Sequence, residues 1–238
     1  MISRIFNSHP AADGLSFRFV FLQSCPFQMK TKNILFWNVD TQEDFIDPEG
    51  KLYVNGAESI RPMLNQITAF AKENGIRVIN TCDYHQINAE EISSNPDFIT
   101  QFPPHCMANT PGASFISETD PEHPLIIDWD SELAIIPEFD DAVRFRNIVI
   151  RKDAFDVFEG NQQTDKILRI INPDCVFVYG VTTNICVDKV VVGLTRRGFK
   201  VYVFEDAIRE LPGLPLPFEV WKEMGVEMIP FGDLKKYL

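Results

Sequence analysis

The sequence predicts one α/β domain built on a parallel, doubly wound sheet. Short apolar runs of about strand length recur and end on polar residues: Asn33 to Val39, Ile76 to Thr81, Asn147 to Arg151, Asp174 to Tyr179 and Lys200 to Phe204. These runs are continuously apolar, as strands covered on both faces are. Segments with helical spacing lie between them, and strands alternating with helices imply right-handed β-α-β units. The length, 238 residues, suits one large domain. A chain of that size buries roughly 70–75% of its unfolded surface and needs no disulfide staple.

Taken in order, Asn33 to Val39 is a strand ending at Asp40, followed by a loop rich in Asp, Pro and Gly from Asp44 to Gly50. Glu58 to Asn74 carries Ile60, Leu64, Ile67 and Ala71 at helical spacing, with Gly75 as the stop. Ile76 to Thr81 is the second strand, ending at Cys82 and Asp83. Residues 86–123 are polar and proline-rich without a period, and read as a long functional loop or lid. Pro124 to Trp129 and Asn147 to Arg151 are strands; Gln162 to Ile171 is a helix stopped by Asn172-Pro173. Asp174 to Tyr179 is a strand, Thr183 to Arg197 a valine-rich helix, and Lys200 to Phe204 a strand. A short helix from Phe218 to Met224 precedes a last strand, Val226 to Ile229. A two-domain split near residue 120 fits less well, because the first half holds too few strands to stand alone.

Composition narrows the function. The net charge of −12 argues against phosphate-backbone binding, so no nucleic-acid partner is expected. No run approaches the ~20 apolar residues of a membrane span. Five cysteines, an odd number without a C-x-x-C pair, indicate a reducing cytoplasm. Ser16 to Phe27 is apolar and aromatic but interrupted by Arg18 and Gln23, and it lacks the layout of a secretory signal. The fold is expected to start near Met29, with residues 1–28 a poorly ordered extension or an upstream mis-start.

In open parallel sheets, ligands bind beyond the carboxyl ends of the strands. The polar residues expected there are Asp40, then Asp83 and His85, then Lys152, then the turn from Gly180 to Cys186. Four strand ends thus offer a carboxylate, a metal-capable pair, a cation and a thiol. Cys186 stands where a strand gives way to a helix, whose amides and dipole favour a thiolate and can cradle an oxyanion. A lone cysteine on a helix is more often a buried core residue, and Cys25, Cys82, Cys106 and Cys175 are read that way. Asp40 can accept a thiol proton and return it to a leaving amine, whereas Asp44 reads as a turn cap. Lys152 at the sheet's rim would favour the thiolate, but Arg151 stands beside it and periodicity does not say which points inward. Asp83 and His85, with His105 further on, suit Zn, Mn or Fe, although surface histidines are as common.

These motifs together resemble the isochorismatase-like cysteine hydrolases, nicotinamidases above all, from about Lys32 to Phe231. Asp40-Thr-Gln-Glu-Asp-Phe45, Lys152 before Asp153-Ala-Phe155, and Gly180-Val-Thr-Thr-Asn-Ile-Cys186-Val carry the likeness. The resemblance implies a Rossmann-like three-layer α-β-α sandwich over residues 29–238, with Asp40, Lys152 and Cys186 catalytic. It also implies a cis bond before Thr182 and an oxyanion hole from the N–H groups of Thr182 and Cys186. Asp83, His85, Glu91 and His105 are the implied metal ligands for a divalent ion, zinc first, and Phe45 and Phe102 the implied substrate-stacking residues. Glu91 stands where nicotinamidases often place a histidine, Phe102 where they often place tryptophan, and Thr182-Thr-Asn184 where they often read Ala-Thr-Asp. The implied partner is a small-molecule amide, the implied assembly a dimer or tetramer, and the reaction hydrolysis of nicotinamide to nicotinate and ammonia through a thioester on Cys186. The alternatives are a related hydrolase of a carbamoyl, ureido or other heteroaromatic amide, a zinc hydrolase with metal-activated water, and a non-catalytic scaffold.

Overall fold

A computed structural model describes residues 32–129 and 144–238; the expected extension at residues 1–28 lies outside them. Seven strands form one sheet: β1 (Ile34–Val39), β2 (Arg77–Asp83), β3 (Leu125–Ile127), β4 (Asn147–Lys152), β5 (Cys175–Val181), β6 (Lys200–Arg209) and β7 (Glu227–Ile229). They lie in the order β3-β4-β2-β1-β5-β6-β7, and every neighbouring pair is parallel. The chain leaves β1 toward β2 on one side and returns at β5 on the other. The topological switch point, where such sheets bind ligands, therefore falls between β1 and β5.

Alternation along each strand feeds two cores. Leu35, Trp37 and Val39 of β1 enter one, with Val176 and Val178 of β5; Phe36 enters the other, with Phe177, Tyr179 and Phe204. The first core is closed by α4 (Thr164–Ile171), α5 (Cys186–Arg196) and α6 (Phe218–Glu223), and the second by α2 (Arg61–Glu73) through Leu64, Ile67 and Ala71. This is the three-layer sandwich expected, and each fully buried Phe or Leu contributes roughly 1.5–3 kcal/mol. The second core is a ring stack, with Phe177 lying 4.8 Å from Tyr202 and 5.4 Å from Phe204.

Local signals act as expected in several places. Pro62 sits in the first turn of α2, and Asn172 takes a left-handed φ of 45° to end α4 ahead of Pro173. Three expectations need correction. The valine-rich helix starts at Cys186, not Thr183, because Ile185 at φ −130° and ψ −92° is not helical. Residues 183–185 instead form a tight turn closed by Ile185 N–H and Val187 N–H on the Thr182 carbonyl. The sixth strand runs past Phe204 to Arg209: its ladder with β5 resumes at Gly180 and Ile208 after a shift in register. Glu205 turns outward there, and Asp206 accepts the Phe231 N–H, so two acidic residues sit inside a strand. Two short helices also lie in regions without a helical period, α1 (Glu43–Ile46) and α3 (Val157–Gly160). No helix among the described residues is long and apolar enough to cross a membrane.

Gly180 keeps β1 and β5 together at the switch point. Its φ is 119°, and a Cβ there would lie 2.0 Å from the Val39 carbonyl oxygen. Gly180→Ala is expected to cost about 3 kcal/mol or more, from the unfavourable backbone and the forced separation of two central strands. Urea denaturation measures it; an unchanged midpoint would mean the strands yield freely.

Candidate active site

The ends of four adjacent strands, β4, β2, β1 and β5, carry Lys152, Asp83, Asp40 and the turn leading to Cys186. Asp83 and Lys152 are register partners across β2 and β4, so their side chains leave the sheet together. Lys152 is fully buried. Its Nζ donates to Asp83 Oδ1, lies 3.1 Å from Asp40 Oδ2, and donates to Cys186 Sγ at 3.9 Å. An oxygen of Asp40, an oxygen of Asp83 and Cys186 Sγ all lie within 4.8 Å of one another, with the ammonium among them. Arg151 turns the other way, 3.8 Å over the Tyr84 ring and 2.9 Å from Asp128. Strand alternation thus settles which cation enters the site.

Burial opposes charge on Lys152, but the Asp40 and Asp83 carboxylates outweigh it and hold the ammonium well above its ordinary range. Burial also works against Asp83, yet Lys152 and the hydrogen bonds of His105 and His85 keep it ionised well below its ordinary range. Asp40 is raised by burial, with Lys152 pulling the other way. Cys186 is pushed well above its ordinary value by burial, against the pull of Lys152 and with the Asp40 and Asp83 charges adding to it. The helix start and Lys152 favour a thiolate, and burial with the two carboxylate charges works against one.

Cys186 opens α5, and Val181–Thr182 is cis. The Thr182 and Cys186 N–H groups bond no backbone carbonyl among the described residues. Cys186, Thr182, Asp83 and His105 line one pocket together with Phe45, Phe102, Phe155, Ile185 and Leu211. Phe45 and Phe102 both pack on His105, with ring centroids at 5.4 and 6.4 Å.

His85 Nδ1 lies 3.1 Å from Asp153 Oδ1, and His105 Nδ1 lies 2.8 Å from the Pro103 carbonyl. These contacts turn both Nε2 atoms toward Asp83 Oδ2, 3.8 Å from each. His85 Nε2 is buried without a partner, which a cation would supply. Ligand atoms of Asp83, His85 and His105 lie within 4.8 Å of one another, and a carboxylate with two oriented imidazoles suits a divalent metal. Glu91, expected with them, lies outside this trio: its Oε1 accepts the Phe155 N–H at 2.7 Å. Burial and the nearby Asp83 charge push it up to about 7.

Several contributors had no reading from the sequence. Thr81 donates to Asp40 Oδ1 at 2.7 Å. Gln42, fully buried, clamps the end of β2 by donating to the Asp83 carbonyl and accepting the Asp83 N–H, both at 2.8 Å. Its place inside the Asp40-to-Phe45 motif was the available signal. Asp153 and Phe155 follow Lys152 directly, where only the likeness drew attention to them. Asp44 braces loops as expected, accepting the Cys106 and Lys51 N–H groups.

A thiol at the turn after a central strand, with a carboxylate and an ammonium from its neighbours, defines the class: a doubly wound α/β protein with its site at the switch point. Residues 34–215 match the isochorismatase domain, and the chain belongs to that family. It is 28% identical over 172 residues to a nicotinamidase/pyrazinamidase of Mycobacterium tuberculosis, covering 71% of this chain and 82% of the relative. It is 27% identical over 215 residues to a nicotinamidase of Acinetobacter baylyi, covering 80% and 89%. Among solved structures, the zinc complex of a Pyrococcus horikoshii pyrazinamidase superposes with a TM-score of 0.63 at 27% identity, over 84% of this chain and 99% of that one.

Proposed function

We propose that the chain is a hydrolase of amide C–N bonds that converts nicotinamide to nicotinate and ammonia. One observation carries the reading: Lys152 gathers Cys186, Asp40 and Asp83, and Cys186 and Asp83 line a pocket with Phe45, Phe102 and Phe155. The nicotinamidase relatives and the family match support it. Asp40 takes the proton of the Cys186 thiol as the sulfur attacks the amide carbonyl. The carbonyl oxygen, now anionic, rests on the N–H groups of Thr182 and Cys186. Asp40 passes its proton to the departing amine, ammonia leaves, and an acyl thioester remains on Cys186. Water then adds, giving a proton to Asp40, and the thioester collapses to the acid while that proton returns to the sulfur. Lys152 holds the carboxylates and the sulfur in place throughout and changes no bond.

Asp83, His85 and His105 would hold a divalent ion, zinc by preference, whose chemistry when bound is to accept a ring nitrogen and so orient the substrate. Phe45 and Phe102 then offer faces to the ring. Among the described residues, the cavity wall carries no free cation to meet a substrate carboxylate. This favours neutral heteroaromatic amides over carbamoyl amino acids.

Ammonia release from nicotinamide, with and without a chelator, tests the reading beside a panel of carbamoyl and ureido amides. The expected outcome is turnover of nicotinamide that iodoacetamide stops as one cysteine, Cys186, is modified. Undiminished turnover after full alkylation of Cys186 would end the thioester mechanism, and turnover of ureido substrates alone would change the substrate.

A further inference from the structure

Glu91 is a carboxylate beside the site with no part in the chemistry above. It is mostly buried in the lid, and its Oε2 has no partner. Its side chain and its backbone each hold a residue that lines the pocket. Oε1 accepts the Phe155 N–H at 2.7 Å, across 64 residues of sequence. The Glu91 carbonyl accepts the Phe102 N–H at 2.8 Å, and the next bond of that ladder, Ser93 N–H to the Phe102 carbonyl, is 2.9 Å. Ile92 and Phe102 form an isolated parallel bridge. The Phe102 and Phe155 rings meet edge to face at 5.6 Å, and both line the cavity. Beyond this knot the lid runs out to an exposed tip at Phe98 and Ile99.

From this arrangement we infer that Glu91 is a positioning residue for the aromatic wall: it ties the lid, through Phe102, to the segment after Lys152, through Phe155, and so sets how wide the substrate cavity is. Its Oε1 accepts a backbone amide of the wall, and Glu91 stands outside the cluster of Asp83, His85 and His105. Removing the knot frees two rings at once, because each is the other's packing partner. The metal trio is left intact. An amide oxygen at position 91 accepts the Phe155 N–H as well as a carboxylate oxygen does, so charge is not what the wall needs.

The inference rests on the amidase reading only for its kinetic readout, and the test carries a second readout that does not. In the full-length, metal-replete protein, Glu91→Ala is expected to raise KM for nicotinamide about tenfold, the worth of a lost buried hydrogen bond and the ring contact it maintains. kcat and bound metal, measured by elemental analysis, are expected to stay within about twofold. Hydrogen exchange read by mass spectrometry is expected to quicken in peptides containing Phe102 and Phe155. Glu91→Gln should restore both KM and protection. Loss of metal in both variants with exchange unchanged would overturn the inference and make Glu91 a ligand. Failure of Glu91→Gln to rescue would also overturn it. If the wild-type protein hydrolyses no amide while exchange responds as stated, the amidase reading fails and the wall-tying role stands.

Discussion

Cys186→Ala loses amide hydrolysis by at least about 10⁴-fold, the scale on which removal of a covalent nucleophile acts, and the protein stays folded. The retained fold follows from the charge balance of the cluster. The Cys186 thiol keeps its proton, because burial outweighs the pull of Lys152 and the Asp40 and Asp83 charges resist a third anion. Replacing a neutral thiol with a methyl group leaves the charge balance among Lys152, Asp40 and Asp83 as it was. The side chain is 6% exposed and packs at the start of α5, so the change opens a small void costing about 1–2 kcal/mol. Lys152 loses its weakest contact, the 3.9 Å bond to sulfur, and keeps both carboxylates. Ammonia release and urea denaturation on one preparation check the two halves. Near-normal turnover would move the chemistry to a metal-activated water and make Cys186 a bystander. A collapsed fold would show that the sulfur is a core atom first.

How far this site was legible depended on the range of the interactions that build it. Strand ends could be read, because each is a local transition from an apolar run to a polar residue, and Asp40, Asp83, Lys152 and Cys186 all stand at such transitions. The likeness to a known family supplied what local pattern lacks, such as the pairing of Thr182 with Cys186. Arg151 and Lys152 could not be separated, since a two-residue alternation is only fixed once register with β2 is known; Asp83 opposite Lys152 decides it. Glu91 was assigned to the metal by position in a motif; its Oε1 also meets a backbone amide 64 residues away, and no sequence period records such a contact. The continuation of β6 was hidden by Glu205 and Asp206, which read as a strand's end until the shifted ladder shows one of them outside and the other capping Phe231. The charge states were the least legible of all. A lysine beside a helix start argues for a thiolate, whereas burial first, and then the Asp40 and Asp83 charges, push the Cys186 thiol up.

Lys152→Met is expected to damage the fold as well as the activity, in contrast to the cysteine variant. The methionine fills nearly the same volume, so packing is preserved and the effect isolates the charge. It leaves Asp40 and Asp83, 0% and 1% exposed, facing each other without the ammonium that holds both. Removing one member of a buried ionic group costs about 3–5 kcal/mol, because the remaining charges stay desolvated and unpaired. Against the roughly 5–15 kcal/mol by which a domain is stable, that is a large share. At about 2–4 °C per kcal/mol for a domain near this size, the melting temperature should fall by roughly 6–20 °C in protein stripped of metal, where no other cation screens Asp83. The sign of the pH response follows. Without the ammonium, burial raises both carboxylates above their unfolded values, so the variant's deficit is full at neutral pH and narrows as pH falls toward the ordinary carboxylate range of about 4. Adding Asp40→Asn to Lys152→Met removes one of the two opposed charges and should recover part of the loss. A melting temperature within 2 °C of wild type for the single variant, a limit of roughly 1 kcal/mol, would mean that the two carboxylates are not both ionised, and the proton acceptor for Cys186 would have to be sought elsewhere.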